Sequence, residues 1–161
     1  MNKIKLLAMD VDGTMTDGHI YMAPTGEAMK AFSAKDGYGI AHLLPENGIV
    51  PVIITGRTSK IVENRAGEIG ITELHQGVSD KLAELKAVAE KYGAAPSEIA
   101  FIGDDLNDLS CIVFAGVSGA PADAVDGVKR EVDYVCRLDG GRGAVREFIE
   151  YLIRLNANRA K

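Results

Sequence analysis

Three short apolar runs, each ending abruptly in polar residues of a definite kind, restrict this chain more than any other feature. Ile4-Lys-Leu-Leu-Ala-Met9 runs into Asp10-Val-Asp-Gly-Thr-Met-Thr-Asp17, and Ile49-Val-Pro-Val-Ile-Ile54 runs into Thr55-Gly-Arg57. Glu98-Ile-Ala-Phe-Ile102 runs into Gly103-Asp-Asp-Leu-Asn-Asp108. Runs so short and so apolar read as strands buried on both faces, the situation in a parallel sheet. Helical patterns separate them: Gly37 to Leu44, stopped by Pro45; Ser59 to Ile69; and a helix from Lys81 with Leu82, Leu85, Ala89 and Tyr92 on one face. The last helix carries the stripe Ala144, Val145, Phe148, Ile149 and Leu152 after Gly140-Gly-Arg-Gly143. Shorter strands are expected at Glu73–His75, Val113–Val117 and Asp133–Val135, with a helical turn from Ala122 to Val125. Strands alternating with helices predict an α/β fold, a doubly wound and mainly parallel Rossmann-like sheet with helices on both faces.

A length of 161 residues, 47% of them hydrophobic, suits one domain over residues 1–161 with a sizeable core. The net charge of −5 argues against a nucleic-acid or membrane-surface binder, so an anionic ligand would need a local basic site. Cys111 and Cys136 stand in apolar surroundings without metal-ligand spacing and read as buried thiols of a reducing compartment. No signal-peptide pattern and no apolar run of ~18 residues is present, so the expectation is a soluble, cytoplasmic protein.

Residues 19–33 read as a β-hairpin flap around Ala23-Pro-Thr-Gly26. Its apolar residues Ile20, Met22, Met29 and Phe32 exceed what a two-stranded ribbon buries alone, which predicts packing on another subunit. In the Ser59–Ile69 helix, the apolar positions 61, 62, 66 and 69 cover an arc of about 140°, and Arg65 falls inside it. Such a guanidinium either snorkels to a partner acid or lines an anion site at a subunit boundary.

The chemistry collects at the strand ends. Alternation places Asp10 and Asp12 on one side, and Gly13 lets the backbone turn sharply after them. Two acids at a strand's carboxyl end suit a divalent hard cation and anionic chemistry, where ligands of open α/β sheets bind. Taken singly, Thr55-Gly56 is an ordinary turn, Lys81 a solvated lysine and Asp104-Asp105 a helix cap. Together, acids, a hydroxyl and a lysine at successive strand ends supply what phosphoryl transfer to a carboxylate needs.

In that order, Asp10-x-Asp12, Thr55, Lys81 and Gly103-Asp104-Asp105 resemble the haloacid dehalogenase superfamily of phosphatases over the whole chain. The gaps between these segments are too short for the cap domain common in that superfamily. The hairpin, Asp36-Gly-Tyr-Gly-Ile40, Thr55-Gly-Arg57, Arg65, Gln76-Gly-Val and Gly140-Gly-x-Gly-Ala-Val-Arg-Glu147 are similar to the capless 3-deoxy-D-manno-octulosonate 8-phosphate (KDO-8-P) phosphatases. That resemblance implies hydrolysis of a keto-deoxy sugar acid phosphate through an aspartyl phosphate on Asp10, in a homotetramer whose subunits close each other's sites. It implies Asp12 as acid and base, Mg²⁺ held by Asp10, Asp12 and Asp104, and the phosphoryl group held by Thr55, Gly56 and Lys81. Ser33, Ala34, Lys35, Asp36, Gly37, Arg57, Arg65 and Asn107 are the implied substrate contacts. Many members carry Arg where this chain has Ala41, whereas a branch acting on a nine-carbon acid 9-phosphate has Glu in place of Arg57. The alternatives are that nine-carbon phosphatase and a non-catalytic oligomerisation module.

Overall fold

The computed structural model describes residues 2–159. In chain order the strands and helices are β1 (Leu6–Met9), the hairpin β2 (Tyr21–Ala23) and β3 (Gly26–Met29), then α1 (Ala34–Tyr38) and α2 (Leu44–Glu46). β4 (Val50–Ile54), α3 (Lys60–Glu68), β5 (Glu73–His75), α4 (Lys81–Lys91) and β6 (Ile99–Ile102) follow. The chain ends with α5 (Leu109–Phe114), β7 (Val117–Ala120), α6 (Asp126–Lys129), β8 (Tyr134–Val135) and α7 (Ala144–Arg159).

Six strands form one parallel sheet in the order β5-β4-β1-β6-β7-β8, and β2 and β3 form the separate hairpin. β1 lies between the two other long apolar strands, with Leu6 opposite both Val50 and Ile99. Its side chains alternate between two cores. Leu7 and Met9 join Ile53, Ile102, Val62 of α3 and Phe148 of α7 on one face. Leu6 and Ala8 join Val52, Phe101, Leu85 of α4 and Cys111 and Ile112 of α5 on the other. The doubly wound sheet predicted from the sequence is therefore the observed one, with no inserted domain among the described residues.

Local structure departs from the sequence reading in three places. The helix expected from Gly37 begins at Ala34 under the Ser33 cap and is not stopped by Pro45. Residues Gly39–Leu43 widen into a π turn, with the Leu44 N–H bonded to the Gly39 carbonyl, and the chain stays helical to Glu46. A widened turn accommodates the ring and the missing N–H of a proline that would break a regular α-helix. Val113 and Phe114, expected in a strand, end helix α5 instead, with Val113 turned to solvent. Gly116 makes the reversal into β7, so close to the chain at Ser97 that a Cβ would stand 2.5 Å from the Ser97 Cα. The helical turn expected from Ala122 to Val125 comes later, as α6 at Asp126–Lys129, and the residues from Arg154 to Arg159 continue α7. Buried Asn156 accepts from the Ile4 N–H at 2.8 Å and donates to the Ile4 carbonyl at 3.0 Å, tying the last helix to the first strand.

Asp36 joins α1 to α7: its Oδ1 accepts the Arg146 N–H at 2.8 Å, while its buried Oδ2 has no hydrogen-bond partner. Burial pushes its pKa up to about 6, against the Arg146 and Gly143 N–H groups that favour the charge. The folded carboxyl therefore keeps its proton to higher pH than the unfolded one, at 3.8, and stability declines as pH rises between these values. Removing the charge in Asp36→Asn is expected to abolish that decline, on the order of 3 kcal/mol, in urea unfolding measured across pH 3.5 to 7.

Candidate active site

β4, β1 and β6 are neighbours, so their carboxyl ends place Thr55, Asp10 and Asp104 side by side. The chain leaves β1 for β4 on one side and later returns through β6 on the other, and β1 is thus the topological switch point of the sheet. Lys81, the first residue of α4, enters from the loop after β5. Its Nζ donates to Asp10 Oδ1 at 2.8 Å and to Asp108 Oδ1 at 2.7 Å. Asp108 is fully buried, and its Oδ2 accepts the backbone N–H groups of Asp104 at 3.1 Å and Asp105 at 3.4 Å. It thus sets both the lysine and the acid loop. Gly103-Asp-Asp-Leu-Asn-Asp108 contained this residue, but its last acid carried no separate role in the sequence reading.

Asp10, Asp12, Thr55, Gly56 and Lys81 border a cavity of about 140 Å³ that Arg57, Asp105 and Asn107 complete. That volume gives room for a phosphoryl group in a cavity that is open to solvent. Burial, with the neighbouring Asp108 charge, pushes Asp10 up to about 6 although Lys81 favours its charged form. Burial likewise pushes Asp104 up to about 8, with Asp10 and Asp108 adding repulsion and the Thr14 hydroxyl, 2.8 Å away, opposing it. Lys81 loses by burial but gains more from Asp10 and Asp108, and its pKa is raised.

Carboxylate oxygens of Asp10, Asp104 and Asp108 lie within 4.8 Å of one another. A cluster of acids with one lysine among them carries surplus negative charge, and an all-oxygen donor set suits a hard divalent cation. Both oxygens of Asp108 are committed to Lys81 and to backbone N–H groups, which leaves Asp10 and Asp104 as the side chains able to bind it.

Asp12 has a different environment. Its Oδ1 is ion-paired and hydrogen-bonded to the Lys30 ammonium, and its Oδ2 lies 3.7 Å from Arg57 Nε. Lys30 also pairs with Glu27 at 2.7 Å, and the Ser59 hydroxyl donates to Glu27 at 2.5 Å. Sequence reasoning missed Lys30, Glu27 and Ser59; the available signal was an acid and a lysine inside an otherwise apolar hairpin.

The remaining expected substrate residues do not line this cavity. Ser33, Asp36, Gly37 and Arg65 gather around a closed cleft with Phe32 and Ile69. Ala34, Gly37, Ala41 and Arg65 border an open hollow of about 300 Å³. Lys35 lies beside Arg137 and Arg146. Within the protomer Arg65 takes the snorkelling alternative, pairing with Glu68 at 2.7 Å over the Phe32 ring.

Residues 69–149 match the family model of haloacid dehalogenase-like hydrolases. Over 150 residues the chain is 47% identical to the 3-deoxy-D-manno-octulosonate 8-phosphate phosphatase KdsC of Escherichia coli strain K12, covering 93% of this chain and 79% of that one. The chain belongs to the KdsC family of haloacid dehalogenase-like hydrolases. A Moraxella catarrhalis KDO-8-P phosphatase, solved with magnesium, phosphate and KDO, superposes with a TM-score of 0.91 at 41% identity, over 96% of this chain and 88% of that one. A cobalt-bound Haemophilus influenzae KDO-8-P phosphatase gives 0.92 at 35% identity, over 96% and 90%.

In this hydrolase a cation must displace protons from the Asp10–Asp104 cluster before it binds. Mg²⁺ affinity, read by calorimetry or thermal shift, is expected to strengthen between pH 6 and 8 by up to about tenfold per unit. Asp104→Asn should abolish the Mg²⁺-induced shift.

Proposed function

We propose that residues 1–161 form one catalytic domain that hydrolyses KDO-8-P to the sugar acid and phosphate, with Mg²⁺ as cofactor. The observation that carries this reading is Asp10, held by Lys81 at the floor of a phosphoryl-sized cavity with Asp12 on its wall. Asp10 attacks phosphorus, and the bond to the sugar oxygen breaks as Asp12 gives that oxygen its proton. Asp12 then takes a proton from water, whose oxygen adds to phosphorus as the Asp10 acyl phosphate opens and the carboxylate is restored. Lys81, the Thr55 hydroxyl and the Gly56 N–H hold the phosphoryl oxygens as charge develops on them. Asp10, Asp104 and the Asp12 backbone carbonyl would hold Mg²⁺, which when bound offsets phosphoryl charge.

The split of the expected substrate residues supports a shared site. A sugar held by its phosphate in this open cavity extends beyond it, while Ser33, Ala34, Asp36, Gly37 and Arg65 line surfaces of their own. The hairpin leaves Met22 65% and Met29 54% exposed, an apolar surface that association would cover. We place such protomers in a homotetramer where Arg65 of one subunit meets the sugar carboxylate in its neighbour's site. Arg57 on the cavity wall favours the eight-carbon sugar over the nine-carbon one, and Ala41 removes one sugar contact. Two free, buried thiols and no helix long and apolar enough to cross a membrane among the described residues agree with a cytoplasmic enzyme.

Phosphate release from KDO-8-P and its nine-carbon counterpart tests the reading. Mg²⁺-loaded protein should prefer the eight-carbon substrate and lose activity with EDTA. Asp10→Asn should lower kcat on the order of 10⁴-fold. Intact substrate after prolonged incubation with the Mg²⁺-loaded protein would refute it.

A further inference from the structure

The Asp12 carboxylate is anchored from the hairpin, not from its own loop. Among the described residues its one side-chain hydrogen bond comes from Lys30, 18 positions away and on the far side of the turn. The Lys30 side chain is 1% exposed, and an ammonium so buried is tolerated only against carboxylates held in contact. Asp12 and Glu27 supply them, and with Asp12 ionised, as it is once its proton has passed to the leaving oxygen, Arg57, 3.7 Å from one and 3.5 Å from the other, brings the formal charge of the four groups to zero.

The far end of this chain of contacts is fixed as well. Ser59 stands at the N-cap of α3 without capping its helix; its hydroxyl goes to Glu27, and its N–H is held by Gln76 Oε1 at 2.9 Å. Neither Lys30 nor Glu27 borders the phosphoryl cavity, so neither is placed to touch the transferred group.

We propose that Lys30, braced by Glu27 and Ser59, is a positioning residue that orients Asp12 for proton transfer to the leaving oxygen and from water. The proposal rests on the phosphatase reading above and adds to it a dependence of acid–base chemistry on the hairpin root. It separates two steps that a merely structural role would affect alike. p-Nitrophenolate leaves without a proton, so phosphorylation of Asp10 by p-nitrophenyl phosphate does not need Asp12, whereas hydrolysis of the acyl phosphate does.

Rapid-quench assays on the Mg²⁺-loaded full chain decide it. Lys30→Met is expected to lower kcat on KDO-8-P about 100-fold with little change in KM. With p-nitrophenyl phosphate it should show a burst of about one nitrophenolate per site, then slow turnover. The double variant Lys30→Met/Asp12→Asn should lose no more than Asp12→Asn alone. Equal losses on both substrates without a burst, or additive losses in the double variant, would overturn the proposal. Should Lys30→Met fail to fold, Glu27→Gln keeps the volume and is read by the same burst. A wild type inactive on both substrates, or an Asp12→Asn as active as wild type, would bring down the phosphatase reading itself and this proposal with it.

Discussion

Lys81 between Asp10 and Asp108 is the interaction on which the site depends. The parallel sheet delivers three carboxylates to one edge, two of them almost fully buried, and they repel one another in a medium that screens poorly. One ammonium in contact with two of them offsets part of that repulsion, and burial, together with the repulsion that remains, raises the proton affinity of Asp10 and Asp104. The backbone is shaped to permit this crowding. Gly13 has φ of +96°, and a Cβ there would stand 2.0 Å from Asp104 Oδ2. A side chain at position 13 would thus separate the two acids that the site brings together.

The acid pair Asp10-x-Asp12 is divided by environment. Asp10 is buried against like charges, and burial raises its pKa while Lys81 holds its geometry. Asp12 is 19% exposed and lies among two cations and a second carboxylate. Two carboxylates two residues apart are thereby given different surroundings, the usual physical basis for different roles. The split originates in the turn after Met9, which carries one acid down to Lys81 and the other across to the hairpin.

The strand ends were legible because each apolar run stops at a sharp step in polarity, and neighbouring strands of a parallel sheet bring such steps together. Lys81 was legible by its place in the order of segments. Lys30 was not: its partner is fixed by how the hairpin folds back, and nothing within a few residues of it records that. Ser59 read as a helix start, correctly, yet its hydroxyl serves Glu27 instead of the helix. Val113-Phe114 misled because local β-propensity was overridden by packing at helical spacing, Leu109 with Ile112 and Cys111 with Phe114, on one core. Pro45 misled because the π turn that absorbs it has no sequence signature of its own. Arg65 was legible as an odd residue by its place on an apolar stripe, but the placing of Ser33 to Gly37 away from the cavity was not, since a linear motif does not reveal which side of a protomer its residues line.

The hairpin carries two kinds of chemistry within a few residues. Glu27 and Lys30 have their charges met within the protomer, whereas Met22, the cross-strand partner of Glu27, is exposed and apolar. A two-stranded ribbon is marginal by itself, so its position is determined by what holds it. The ion pairs fix it against Asp12, and the Ser59 hydroxyl at the start of α3 fixes Glu27. A shift of the ribbon as a rigid piece would then either break a buried ion pair, which costs several kcal/mol, or carry Asp12 with it. The acid at position 12 and the hairpin are therefore one mechanical unit, although the sequence places them on separate elements.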